Sequence, residues 1–171
     1  MARDRQLILN EKQIHQKIRR IAFEIYEYNF NEKELVLAGI FDQGYLFAQL
    51  LREELERISP LKVKLVRVDL DKSKPESSEV KLDCDISELN NHCFILADDV
   101  LNTGKTLAYG LKSFLRTEIN IKKFEIAVLV NRKHSLFPIS ATYTGYELST
   151  TINEHVQVVL SSKEKNAYLL D

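Results

Sequence analysis

From Glu11 the apolar residues Ile14, Ile18, Ile21, Ala22 and Ile25 recur at steps of three and four, which predicts an amphipathic helix running to about Tyr28. The continuous apolar run Leu35–Ile40 then predicts a buried strand. After Gly44, the residues Leu46, Leu50, Leu51, Leu55 and Ile58 line one face of a second helix, which Pro60 closes. Alternation over residues 61–69 predicts the next strand. From Leu70 to Asn91 the pattern dissolves into Lys, Ser, Glu and Asp, and a long mobile excursion is expected there. Residues 93–97 form a continuous apolar strand. A helix marked by Leu107, Leu111, Phe114 and Leu115 follows, beginning near Gly104, and residues 124–130 make another fully apolar strand. Shorter extended pieces are expected in "ATYTGYEL" and "HVQVVLS". Strands apolar throughout must be covered on both faces, so their alternation with amphipathic helices predicts an α/β fold with a mostly parallel sheet flanked by helices.

The chain has 171 residues, 44% of them apolar, which suits a single domain over residues 1–171. Lys and Arg number 24 against 25 Asp and Glu, so the formal net charge of -1 supplies no general attraction to nucleic acid or anionic membrane. The longest apolar stretch is too short to cross a bilayer, and the first ten residues carry charges where a signal peptide needs an apolar segment. A cytoplasmic protein without membrane contact is therefore expected. Cys84 and Cys93 form no CxxC pair and lie near no histidine cluster, so both read as reduced and structural.

One stretch carries chemistry. At the end of the apolar run Phe94–Ala97 stand Asp98 and Asp99, then Val100 and Leu101, then the turn Asn102-Thr103-Gly104-Lys105-Thr106 leading into a helix. In a parallel sheet, ligands gather at the carboxyl ends of the strands. Unpaired N–H groups at a helix start, with Thr103 and Thr106 hydroxyls beside them, suit a phosphate. Adjacent carboxylates instead accept hydrogen bonds from sugar hydroxyls or hold a hydrated Mg²⁺. Together they fit a ribose 5-phosphate. Helix capping by Thr103, with acids favoured near the helix N-terminus, accounts for one acidic residue but leaves the adjacent pair largely unexplained. A P-loop is excluded, because that motif needs a glycine where Asp99 stands.

The thirteen-residue stretch Phe94–Thr106 resembles the ribose-phosphate loop of the type I phosphoribosyltransferases: apolar residues, two acids, two apolar residues, one variable residue and Thr-Gly-x-Thr. The resemblance implies that Asp98 and Asp99 are the catalytic acids. They would hold the ribose hydroxyls of phosphoribosyl pyrophosphate (PRPP) and contact Mg²⁺ indirectly, through PRPP or water. It implies that Asn102, Thr103, Gly104, Lys105 and Thr106 bind the 5-phosphate, and that a nucleobase nitrogen replaces pyrophosphate at C1 through an oxocarbenium-like transition state. Hypoxanthine-guanine enzymes carry an aspartate at the place of Asn102 and a lysine shortly before Tyr143-Thr144-Gly145, and neither is present. Segments 8–25, 39–51 and 126–160 instead look like the family of pyrimidine operon attenuation proteins, which are also uracil phosphoribosyltransferases.

By that resemblance, residues 40–44 with Gln43 and Gly44 form the pyrophosphate loop. A hood at about 131–150, with Arg132, Lys133 and His134, closes over the base, and a flexible loop at about 70–91 covers the reaction. The chain departs from its relatives at several cations and one acid: they carry arginine at Gln43 and Ser135, aspartate at Asn131, glycine at Lys133, and basic residues at Ser140 and Tyr146. Lys72, Lys74 and Lys81 offer charge from the loop. A homodimer is expected by resemblance alone. The first helix offers Lys12, Lys17, Arg19 and Arg20 to RNA, but the neutral overall charge and the lack of an aromatic-plus-basic motif weigh against that partner. Two functions follow: an enzyme that makes UMP from uracil and Mg-PRPP, or a catalytically weak nucleotide sensor regulating pyrimidine genes, with or without RNA.

Overall fold

The computed structural model describes residues 4–116 and 118–171; the first three residues of the charged N-terminal stretch lie outside that range. Strand β1 (Arg5–Leu9) leads into helix α1 (Glu11–Asn29). The helix starts at Asn10 because of a capping box: the Asn10 side chain accepts from Gln13 N at 2.9 Å, and the Gln13 side chain accepts from Asn10 N at 2.9 Å. The chain continues through β2 (Glu34–Ile40), α2 (Gln43–Ile58), β3 (Lys62–Asp69), β4 (Lys81–Leu82), β5 (His92–Leu101), α3 (Lys105–Lys112), β6 (Ile121–Asn131), β7 (Tyr143–Glu147), β8 (His155–Leu160) and β9 (Lys165–Leu170).

Six strands form the main sheet in the order β4-β3-β2-β5-β6-β7, all parallel except the short β4. The alternating side chains of its apolar strands divide between two cores. Leu35, Leu37, Ile95, Ala97 and Leu129 face α1 and α2, whereas Val36, Ala38, Phe94, Leu96 and Val128 face α3. The flanked parallel sheet expected from the sequence is therefore present. Among the described residues no helix is long and apolar enough to cross a membrane.

Three features differ from the sequence reading. The segment 70–91 is not a bare loop: β4 pairs with the end of β3, a 3-10 helix spans Ile86–Leu89, and buried Leu89 joins the core. A single apolar anchor every few residues gives no periodicity to read. The chain also does not leave the sheet after Ala97. Pairing with β2 stops there, but β5 continues beside β6 to Leu101, so Asp98 and Asp99 lie where the sheet has opened on one side only. Finally, the segment expected as a hood divides. Residues 143–147 are the edge strand β7, and a separate antiparallel sheet, β1-β9-β8, is built from the two ends of the chain. It packs through Leu9, Val158, Leu160 and Ala167 on the same core as α1 and α2.

Candidate active site

The turn expected to hold phosphate, residues 102–106 (the phosphate turn), is shaped by its glycine. Gly104 has φ 86°, a conformation that L side chains rarely adopt, and it stands as the N-cap of α3 without any side-chain cap. Thr103 Oγ1 accepts from Lys105 N at 3.3 Å, while the Thr103 carbonyl accepts from Leu136 N at 2.9 Å and Phe137 N at 3.0 Å. The segment after β6 is thereby folded against the turn. Among the described residues, no protein acceptor engages the first-turn N–H groups of Thr106 and Leu107, which leaves donors at the positive end of the helix dipole. They border a cavity of about 160 Å³, lined by Lys72, Asp98 and the turn itself.

Asp98 is only 2% exposed, and its Oδ1 accepts from Asp99 N at 3.0 Å. Gly44, at the start of α2, makes room for it: a Cβ there would lie 2.6 Å from Asp98 Oδ1. Burial, then the neighbouring Asp99 carboxylate, pushes the Asp98 carboxyl well above the usual carboxylate range, against the pull of Lys72. Lys72 Nζ donates to Asp98 Oδ1 at 2.7 Å and to Asp99 Oδ1 at 3.3 Å. Burial lowers the ammonium pKa, but the two carboxylates together outweigh it and raise it above the ordinary lysine value. A second ion pair, Lys105 Nζ to Glu76 Oε2 at 2.8 Å, brings the same loop onto the phosphate turn and holds Glu76 below the usual carboxylate range. Sequence reasoning named Lys72 only as a general source of charge. The partners lie 26 residues or more apart, and no local pattern announces such a contact.

The remaining candidates divide. Gln43 and Gly44 reach the site after the cis peptide Phe41–Asp42, but the Gln43 amide is turned aside: its Oε1 accepts from Leu160 N at 2.8 Å, tying α2 to β8 of the small sheet. Arg132 is buried and points inward. Its Nη1 donates to Asn102 Oδ1 at 2.8 Å and its Nε to Thr150 Oγ1 at 2.9 Å, so it braces the phosphate turn and does not line the cavity. Lys133 has φ 53°, a conformation that favours glycine, and its ammonium meets Glu147 at 2.6 Å. His134 is half-buried, with no hydrogen bond among the described residues. On α1, Arg20 donates to the Thr144 and Gly145 carbonyls at 3.1 Å and Arg19 lies 3.8 Å from Glu54, so two of the cations noted for RNA have partners within the fold.

Among the described residues, no cluster of three metal-ligating side chains exists. Two adjacent carboxylates are nevertheless a sufficient donor set for Mg²⁺ that keeps its waters and binds mainly through a substrate's phosphate oxygens. Asp98 and Asp99 would hold such an ion.

A parallel α/β sheet carrying an acid pair and a glycine-hinged phosphate turn at the carboxyl ends of its strands defines a class, and the family model for the phosphoribosyl transferase domain matches residues 5–163. The chain belongs to the type I phosphoribosyltransferases, which are pentosyltransferases. Within that family it is similar to the bifunctional protein PyrR. It is 32% identical to that of Staphylococcus epidermidis, over 96% of this chain and 98% of the relative. It is 33% identical to that of Bacillus pumilus, over 94% and 93%. In fold it resembles the hypoxanthine phosphoribosyl transferase of Trypanosoma cruzi, with a TM-score of 0.78 at 18% identity over 97% of this chain and 91% of that one. It also resembles the hypoxanthine-guanine phosphoribosyltransferase of Bacillus anthracis, with a TM-score of 0.74 at 16% identity over 100% of both chains.

Proposed function

We propose that the protein transfers the ribose 5-phosphate group of PRPP to uracil, giving UMP and pyrophosphate. The observation that carries this reading is the placement of Asp98 and Asp99 one turn before the Gly104-hinged helix start, in a chain similar to PyrR over nearly its whole length. In this reading the N–H groups and hydroxyls of residues 102–106 hold the 5-phosphate, and the acid pair accepts from the ribose hydroxyls. The C1–O bond breaks with its electron pair leaving on pyrophosphate, a uracil nitrogen bonds to C1, and the proton of that nitrogen passes to the leaving pyrophosphate or to water. Mg²⁺, when bound, neutralises charge on the leaving pyrophosphate. The chain's own contribution is to fix the two ends of the sugar phosphate and place the buried carboxylate charge beneath a ribose that becomes positive in the transition state. Residues 131–138, folded onto the phosphate turn, would cover the base, and the loop carrying Lys72 would exclude water from the hydrolysis-prone intermediate state. A cytoplasmic homodimer completes the proposal.

A second reading is favoured by Gln43, which stands at an arginine position and whose side-chain oxygen is engaged by β8. With fewer cations for pyrophosphate, the protein would be a catalytically weak sensor of PRPP or UMP that regulates pyrimidine genes, with RNA as a less favoured partner. Formation of labelled UMP from uracil, PRPP and Mg²⁺, run beside an Asp98→Asn/Asp99→Asn variant, decides between them. Turnover abolished in the variant is the expected result. Absence of turnover in the wild type, with retained UMP binding and salt-sensitive capture of a pyrimidine leader RNA, would establish the sensor.

A further inference from the structure

Arg132 is 4% exposed, yet no carboxylate forms a salt bridge with it among the described residues. Its guanidinium meets three oxygens besides that of Asn102: Thr150 Oγ1 at 2.9 Å, the Thr151 carbonyl at 3.3 Å and the Glu154 carbonyl at 2.5 Å. Its own N–H donates to the Leu101 carbonyl at 3.0 Å, at the last residue of β5. A buried cation costs free energy unless its donors are satisfied, and here the satisfying oxygens come from two separate segments, the phosphate turn and the connection between β7 and β8. Asn102 has no other side-chain hydrogen bond among the described residues.

We infer that Arg132 is a positioning residue for the phosphate turn, which acts through Asn102 and so sets affinity for a pentose 5-phosphate. The inference rests on the phosphoribosyl-transfer reading only in the identity of that ligand. The planar fork holds Asn102 at one edge while its other donors are fixed to residues 150–154, so the first residue of the turn cannot rotate independently of that connection. Among the described residues, a turn whose next residues are Thr103 and a left-handed Gly104 has no other side-chain brace at its entrance. Burial draws the guanidinium pKa below its usual value.

The test measures binding of ribose 5-phosphate and of PRPP by calorimetry to wild type, Arg132→Gln, Arg132→Lys, Asn102→Ala, and the Arg132→Gln/Asn102→Ala pair, each checked by thermal unfolding. Arg132→Gln and Asn102→Ala should each weaken ribose 5-phosphate about tenfold, the order of one charge-assisted hydrogen bond. The double variant should be no weaker than Arg132→Gln alone, because both remove the same link. Arg132→Lys should not restore affinity, since a point charge cannot hold Asn102 and Thr150 at once. In turnover, KM for PRPP should rise by a larger factor than KM for uracil, as a link made to the phosphate turn requires. If Arg132→Gln does not fold, Thr150→Ala loosens the rear of the brace from a partly exposed loop and should still weaken ribose 5-phosphate several-fold.

Wild-type affinity in the single variants, or multiplicative effects in the double, would overturn the inference. Wild-type protein that binds ribose 5-phosphate but forms no UMP would overturn the enzyme reading and leave this one standing. Wild-type protein that binds neither sugar phosphate would overturn both.

Discussion

The Lys72 ammonium, 2.7 Å from Asp98 Oδ1, stands where the proposed reading places a hydroxyl donor of ribose. Its side chain keeps 37% of its surface exposed, so it can leave without unfolding anything. A ligand with a ribose diol must therefore compete with an internal cation, whereas free phosphate in the turn need not. Lys72→Met is expected to tighten ribose 5-phosphate by about threefold to tenfold, the order of one partly exposed ion pair, and to leave inorganic phosphate unchanged or weaker. Calorimetry with both ligands measures the opposed signs, and weaker ribose 5-phosphate binding would make Lys72 a ligand contact instead. The acids, the turn and the helix start could all be read from residues 94–106, because their chemistry is local. The partners of Lys72, Gln43 and Arg132 could not, since each belongs to a distant segment and its side chain is aimed by the fold.

At the level of elements, a buried polar group joins α1 to the edge of the main sheet. Tyr143 on β7 donates to Glu125 Oε2 on β6 at 2.8 Å, and Asn29 at the end of α1 donates to the same carboxylate oxygen at 3.3 Å. Burial, then the Glu125 hydrogen bond and charge, push the Tyr143 hydroxyl far above its ordinary pKa of 10. The unfolded chain releases that proton near pH 10 while the folded chain keeps it. Stability is therefore fully present below pH 10 and is lost as pH rises above it, by about 1.4 kcal/mol per pH unit for one proton. Tyr143→Phe should cost about 2 kcal/mol at pH 7 and flatten that alkaline slope by about one proton, measured by urea unfolding between pH 8 and about 11. The strands of the main sheet were readable as continuous apolar runs because both of their faces are covered. Strands β1 and β9 were not: each buries a single residue, Leu9 and Ala167, while the rest of β1 is mostly exposed and the rest of β9 half-exposed.

For the whole molecule, the small sheet decides how the ends of the chain behave. Strand β9 is its middle member, bonded to β1 from Arg5↔Leu170 to Leu9↔Ala167 and to β8 from His155↔Leu170 to Leu160↔Lys165. All of it lies beyond the residues matched by the family model. Deleting residues 163–171 strips two strands of their hydrogen-bond partner and uncovers Leu9, Val158 and Leu160. The truncated chain should melt more than about 5 °C lower and associate through its open edges, as calorimetry and light scattering would record. An unchanged melting temperature would show that the small sheet is an ornament on an independently stable main sheet.

The central position of β9 also orders events during synthesis. The main sheet closes with residue 147, but β1, the first strand made, finds its neighbour only when the last strand has been made. Because Leu160 on β8 holds the Gln43 amide, the α2 end of the site receives its final support at that late moment. A nascent chain would thus hold a formed phosphate turn before its opposite wall is secured, and competence for the sugar phosphate would arrive only once β9 has been made and has paired with β8.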